Sequence, residues 1–345
     1  MLFNLGGPDR PEAVRPFLFN LFNDPAIIAA PRPIRWLLAK LISARRAPVA
    51  RKIYEHLGGA SPLLGNTEAQ ARALEAALTD LGEVRAFIAM RYWHPLTEQT
   101  VSDVLAYGPD RIVLLPLYPQ FSVTTTGSSL TAWRHAARAA GLGAATSAVC
   151  CYPGESGFID EVAERIRPAL REAKAYGKPR LLFSAHGLPK KIVEGGDPYQ
   201  WQVEQSAAAV AEALGAAELD WVICYQSRVG PLEWIGPATE AEIVRAGRDK
   251  VPIVLTPIAF VSEHSETLVE LDIEYRALAE DSGVPAYLRV ETAGIGSRFI
   301  AGLARLVRDS LADDRALSSQ DGARICPGRW VRCPQVEVKE KPGET

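Results

Sequence analysis

Residues 180–189 read RLLFSAHGLP, and the fold follows from how this stretch is understood. Arg180–Ser184 is a short apolar run, the length of a buried strand. A tight turn containing Gly187 ends it, and His186 stands at the junction. The same arrangement recurs along the chain. Short runs rich in Val, Ile, Leu and Phe lie at Leu2–Leu5, Val84–Met90, Arg111–Leu117 and Ser147–Cys151. Others lie at Trp221–Tyr225, Pro252–Ile258 and Ala286–Val290. Longer amphipathic stretches separate them, near 67–80, 97–106, 128–140, 156–174, 198–214, 238–246, 263–281 and 294–312. Strands alternating with helices predict parallel sheets covered on both faces. With four strands in each half, the expected fold class is α/β, with two doubly wound, Rossmann-like domains. The expected division is an N-terminal domain over 1–150, a C-terminal domain over 151–315 and a tail over 316–345.

The bulk numbers agree with a large globular protein. Of 345 residues, 48% are apolar and 23% charged, and the net charge is −3. That balance gives no global electrostatic reason to bind nucleic acid. The first residues run straight into Gly6-Gly7-Pro8 and do not read as a signal peptide. No stretch approaches the length of a membrane span. A cytoplasmic protein is therefore expected. Five cysteines, an odd number, argue against a disulfide framework.

Segment 17–47 departs from the rhythm. Phe17, Leu18, Phe19, Leu21, Phe22, Ile27, Ile28, Ile34, Trp36, Leu37, Leu38, Leu41 and Ile42 are interleaved with Arg32, Arg35, Lys40, Arg45 and Arg46. Such a mixture suits a surface resting on a bilayer. It equally suits a pair of core helices with solvated basic edges.

In open parallel sheets, ligands bind beyond the carboxyl ends of the strands. The residues that follow the apolar runs are polar, aromatic and titratable. They include Tyr118–Ser129, Ala185–Pro189, Gln226–Pro231 and Ala259–Glu266. His186 can accept a proton near neutral pH or ligate a metal. Ser262 is a good helix cap, and beyond it Glu266, Glu270 and Glu274 recur every fourth residue, with Asp272 adding charge. A plain reading is a solvated acidic face. The alternative is a carboxylate row that passes protons or a divalent cation inward. A histidine base, such a row and an aromatic cleft together suit metal insertion into a porphyrin. Candidate walls are Tyr92, Phe121, Trp234 and Phe260, and candidate contacts to the propionate rim are Arg91 and Ser128. For each wall aromatic, simple core packing is the alternative.

The sequence resembles the ferrochelatases over nearly its whole length. The resemblance is carried by LFNLGGP (2–8), GGASP (58–62), RYWHPLT (91–97), LPLYPQFS (115–122), TTGSSL (125–130), SAHGLP (184–189), QSRVGP (226–231) and PIAFVSEHSETLVELDIEY (257–275). It implies a chelatase-type fold and Fe²⁺ insertion into protoporphyrin IX, the terminal step of haem biosynthesis. It implies that His186 accepts pyrrole protons or binds the incoming Fe²⁺. Glu266 faces it across the ring, and Glu270, Asp272 and Glu274 form an acidic path. Glu263-His264 matches an acidic-His pair of the family, so His264 joins the candidate substrate contacts. Segment 17–47 matches apolar lips that touch the inner face of the membrane. Some members carry a [2Fe–2S] cluster on one central and three C-terminal cysteines. Here Gln335 stands where a third tail cysteine is expected, so Cys150, Cys151, Cys326 and Cys333 are the candidate ligands, the alternative being free thiols. Cys224, in an apolar run, reads as core. The chain is also a candidate homodimer. Rival readings are a cobalt or nickel chelatase of the same fold and a non-catalytic haem or metal binder.

Overall fold

The structure is a computed structural model that describes residues 1–215, 218–313 and 315–335. In chain order the N-terminal part holds β1 (Leu2–Asn4), α1 (Val14–Phe22), α2 (Arg32–Glu55), α3 (Leu63–Ala77), β2 (Ile88–Met90), α4 (Thr97–Tyr107), β3 (Arg111–Pro116), α5 (Thr126–Ala140) and β4 (Ala145–Val149). Then follow α6 (Ser156–Ala173), β5 (Arg180–His186), α7 (Lys190–Glu194), α8 (Tyr199–Leu214), β6 (Asp220–Gln226), α9 (Thr239–Asp249) and β7 (Ile253–Pro257). A π-helix (Glu266–Glu274), α10 (Tyr275–Asp281), β8 (Tyr287–Arg289), α11 (Ser297–Ala312) and β9 (Leu317–Ser318) complete it.

Two parallel sheets result, ordered β2-β1-β3-β4-β9 and β6-β5-β7-β8. All eight expected strands form, and the fold class is the α/β one that the alternation predicts. In β5, Leu181, Leu182, Phe183, Ser184 and Ala185 are fully buried, because the strand is flanked by β6 and β7 and covered on both faces. The chain leaves β5 for β6 on one side, then returns to β7 on the other. The crevice between the carboxyl ends of β5 and β7 is therefore a topological switch point, where side chains from two connections can meet. His186 is the last residue of β5, paired in register with Gln226 at the end of β6.

The structure differs from the sequence expectations in four places. The helix expected over 263–281 is split, with i→i+5 bonding over Glu266–Glu274 and α-helix only from Tyr275. Segment 17–47 belongs to α1 and α2, whose second member runs on to Glu55. The short α7 has no counterpart among the expected helices. Finally, the described residues after α11 are not a separate appendage. After α11, β9 pairs with β4 and adds a fifth strand to the first sheet, because the β4 edge is open to it. The expected tail 316–345 is thus tied to the N-terminal sheet at its start, and its residues 336–345 lie outside the described residues.

The two halves are joined by buried amides. Gln70 of α3 donates to Val261 O (3.0 Å) and Gly294 O (2.9 Å) and accepts from Ser262 Oγ. Asn66 donates to Glu263 O. From the other direction, Gln202 of α8 accepts from the backbone N–H of Phe121, and Asp197 accepts from Ser122 and the N–H of Val123. Apart from the two serine hydroxyl bonds, each satisfies a main-chain group that would otherwise be stranded at the interface.

Close helix contact is the other packing device. Gly157 of α6 lies against α11, where an added Cβ would collide with the carbonyl oxygen of Arg298. Gly143 faces open space. We expect Gly157→Ala to destabilise the protein by roughly 1–3 kcal/mol through backbone displacement, and Gly143→Ala to stay within about 0.5 kcal/mol of wild type. Denaturant unfolding of the two variants measures the difference, and equal stabilities would refute the packing argument.

Candidate active site

His186 closes β5, and its Nδ1 shares a hydrogen bond of 2.8 Å with Glu266 Oε2, supplied by the first residue of the π-helix. Burial pushes the Glu266 carboxyl up, but the neighbouring imidazole and its hydrogen bond outweigh that and hold it well below the usual carboxylate range. An ionised Glu266 accepts, so the His186 Nδ1 carries the donated proton and Nε2 is the nitrogen left for a proton or a metal. Burial alone would lower the His186 pKa, but the charge of Glu266, its hydrogen bond and the charge of Glu270 raise it above 6.5. The His186 side chain keeps 37% of its surface exposed, so the pair remains reachable from solvent.

Glu270 lies one turn further along. Ser227 N–H donates to its Oε1 at 2.8 Å, Ser227 Oγ to Oε2, Tyr275 OH to Oε1 at 3.0 Å and Gln226 Nε2 to Oε2 at 3.2 Å. Ser227 adopts φ 60°, a left-handed conformation that costs a non-glycine residue energy, and it thereby turns both donors onto one carboxylate. Burial first, and then the negative charge of Glu266, raise the Glu270 pKa. Two carboxyls on one helix face are thus pushed apart, one held ionised and the other readier to take a proton. His264 Nε2 lies 3.8 Å from Glu266 Oε2, and its ring packs against Phe260 with centroids 4.7 Å apart. Trp234 lies beside the turn at Gly187, bridged to Pro189.

Other expected site residues are placed differently. Asp272 points to the opposite side of the helix, onto Arg289, because that buried cation offers it a partner. Glu274 is solvent-exposed. The expectation of an acidic path therefore narrows to Glu266 and Glu270. The resemblance also implies that Glu266 faces His186 across a ring, whereas the direct bond leaves no ring's thickness between them. Phe121 does not line the crevice. It is buried against Cys150 and Cys151. Tyr92 and Ser128 are buried too, and with Arg91 they converge on Asp24, which accepts from Arg91 Nη2 (2.7 Å), Tyr92 OH (2.9 Å) and Ser128 Oγ. Arg91 also donates to Ser128.

Sequence reasoning missed three residues here. Tyr54 is buried near Ser265 and Glu266, and burial raises its pKa to about 12. Tyr199 donates to the backbone oxygen of His186 at 2.9 Å. Asp24 organises the Arg91 cluster. It is the only acidic residue between 17 and 47, which was a usable signal.

The cysteines gather at a second place. Cys150 Sγ lies 3.2 Å from Cys151 Sγ, and Gln202 Nε2 donates to Cys326 Sγ at 3.1 Å. The neighbouring Cys326 thiol lowers that of Cys333 to about 6, and the charge of Cys333 also reaches Cys151. All four are buried, whereas Cys224 is buried elsewhere in the second sheet. The four thiols come from two segments of the chain, Cys150–Cys151 and Cys326–Cys333. Among the described residues, no group of three or more His, Cys, Asp or Glu is arranged around a single ion.

Comparison with known proteins gives the family. The Ferrochelatase family model matches residues 1–311. A ferrochelatase of Caulobacter vibrioides is 56% identical over 97% of this chain and 96% of its own length. One from Hyphomonas neptunium is 51% identical over 99% and 96%. Among solved structures, SirB from Bacillus subtilis with Fe³⁺ superposes with a TM-score of 0.50 at 13% identity, covering 71% of this chain and 89% of its own, a likeness of fold alone. With the family's pattern matched from residue 1 to 311 and about half of all positions shared end to end with named members, the chain belongs to the ferrochelatase family.

Proposed function

We propose that this enzyme of haem synthesis inserts Fe²⁺ into protoporphyrin IX, with His186 and Glu266 at the reacting centre. The bond between them carries the reading. Neutral imidazole Nε2 accepts a pyrrole proton or ligates the arriving iron, and both roles require the ring to lose its extra proton first. The ionised Glu266 stabilises the positive charge that arrives with the metal or the proton. Glu270, whose pKa is raised, then takes a proton from the Glu266 side and passes it towards solvent past Ser227. Phe260, His264 and Trp234 supply apolar wall, and Arg91 is the cation available to a propionate. Coproporphyrin III is the competing substrate, and a ferrous, zinc, cobalt and nickel series with each porphyrin ranks the choices. A protein that only bound haem would have no use for two carboxyls tuned apart.

The membrane reading draws on α2. Its first turns leave Ile34, Trp36, Leu37 and Leu41 about half exposed, at 54%, 47%, 52% and 59%. Arg32, Lys40, Arg45 and Arg46 are exposed around them, and Lys40 stands over the Trp36 ring. No helix among the described residues is long and apolar enough to cross a membrane. An apolar patch rimmed by cations suits peripheral contact with an anionic leaflet.

For the thiol site, Cys150, Cys151, Cys326 and Cys333 are the residues that would hold a [2Fe–2S] cluster. Such a cluster supplies a one-electron redox centre and ties the chain's end to β4. The dimer and a cytoplasmic location remain part of the same reading.

Three measurements test these proposals. Glu266→Gln should lower kcat by roughly a hundredfold or more, with porphyrin affinity little changed. Because the His186 pKa is raised, its imidazole stays protonated to higher pH than a free histidine, and wild-type kcat/KM should fall as pH drops through its titration. In Glu266→Gln the acid limb should move to lower pH. Wild-type turnover and an unmoved limb in the variant would sink the assignment. Trp36→Ser with Leu41→Ser should weaken co-sedimentation with phosphatidylserine vesicles roughly tenfold or more, and undiminished binding would remove the lip from the membrane. Anaerobically purified protein should contain iron and acid-labile sulfide in equal amounts, lost in Cys326→Ser and kept in Cys224→Ser. Protein without sulfide would leave only free thiols at that site.

A further inference from the structure

The π-helix that carries Glu266 and Glu270 is an uncommon conformation. Such wide turns are short-lived in sequence and concentrate at functional sites. Nine residues, Glu266–Glu274, adopt it here, and Tyr275 N–H still bonds back five residues to Glu270 O. Nothing in the local sequence demands this, since Thr, Leu, Val and Ile at 267–273 are compatible with an α-helix. A set of buried hydrogen bonds lies behind the helix, on the side turned away from His186.

There, β8 presents two side chains. Arg289 is nearly buried, with 8% of its side chain exposed. Its Nε donates to Asp272 Oδ1 at 2.7 Å and its Nη2 to Asp272 Oδ2, a bidentate grip on the last turn of the π-helix. Its Nη1 donates to Glu263 Oε1 at 2.7 Å, three residues before the helix begins. Glu263 is fixed in turn by the N–H of Thr292 at 2.7 Å. One planar, rigid guanidinium therefore spans positions 263 and 272 and sets the distance between them. A wider turn is shorter along its axis than an α-helix, which rises about 1.5 Å per residue. Tyr287, two residues earlier on β8, donates its hydroxyl to Leu271 O inside the π-helix at 2.8 Å.

We infer that Arg289, with Tyr287, is a positioning clamp that holds the 266–274 segment in its wide turn and so keeps Glu266 and Glu270 facing His186. The clamp rests on the proposed role of that pair and deepens it. Relaxation to an α-helix, with its tighter turn of about 3.6 residues, would lengthen the segment and rotate its start relative to α10. Glu266 would leave His186 while the fold around it stayed intact. Asp272 and Glu263 are thus not carriers of protons or metal. They are the handles by which the sheet grips the helix.

The test uses Asp272→Asn, which keeps the shape and one hydrogen-bond acceptor, and Tyr287→Phe, which removes one hydroxyl. Asp249→Asn is the control. Asp249 pairs with the buried Arg180 at the amino end of the second sheet, far from His186. Glu266→Gln is assayed alongside. We expect Asp272→Asn and Tyr287→Phe to lower kcat roughly ten- to a hundredfold while porphyrin KM stays within about twofold. Amide hydrogen exchange should accelerate over 266–274 in both and not in Asp249→Asn, whose kcat should match wild type. Wild-type kcat and exchange in both clamp variants overturn the clamp, as does an equal loss of kcat in Asp249→Asn. If Glu266→Gln is itself fully active, the reading of the pair fails instead, and the exchange data alone then decide whether the clamp exists.

Discussion

His186 and Glu266 reach one another from positions 80 residues apart, and that contact sets the demands on the rest of the molecule. For it to form, β5 must end at residue 186 and not a residue later, because a one-residue slip in a strand sends the side chain to the other face. Burial of β5 between β6 and β7 fixes that register. The connection after β7 must then bring a helix back over the carboxyl end of β5. Gln70 and Asn66 hold the turn at 261–263 from the other domain, so the entry to the helix is fixed by two halves of the chain at once. The electrostatics follow from the geometry. Once Glu266 is ionised beside His186, the next carboxyl on the same face must bear the repulsion, and Glu270 does so with a raised pKa and four donors around it.

Much of this was legible in the residues. Alternating apolar runs and amphipathic stretches specify parallel sheets, and the rule that ligands sit beyond strand ends leads to His186 and to the run from Ser262. What the sequence could not reveal is which way a charge turns. Glu270 and Asp272 stand about 200° apart on a helical wheel drawn with ordinary spacing, and the structure turns one to Ser227 beside His186 and the other to Arg289. What the wheel does not show is the partner of Asp272, 17 residues away in the chain, or the π-helix itself, which no local propensity encodes. Two aromatic rings depart from expectation for a related reason. Tyr92 and Phe121 sit in motifs that read as cleft wall, but both are buried, Tyr92 on Asp24 and Phe121 on the cysteines. Core packing, the commoner fate of a large ring, applies to both.

Asp24 shows how the apolar lip is made part of the rigid body. It lies just beyond α1, and its Oδ1 accepts the N–H of Ala26 while Oδ2 collects Arg91, Tyr92 and Ser128. A buried carboxylate left without those donors would cost several kcal/mol in desolvation, so the cluster is held together strongly once formed. Arg35, at the start of α2, donates back to Asn23 O and Ala30 O at 2.8 Å each. The loop between the two helices is therefore pinned at both ends, one end to the wall that carries Arg91 and the other to α2. The exposed Trp36, Leu37 and Leu41 stand on this pinned base, not on a floppy arm. In the proposed reading, a greasy surface fixed relative to Arg91 presents a flat apolar ligand to the cleft in one orientation, acidic rim towards the cation and apolar edge towards the lip. The same fixation has a consequence for charge. Arg91 already shares Asp24, so its pull on an incoming carboxylate is tempered, which favours a partner that can also leave.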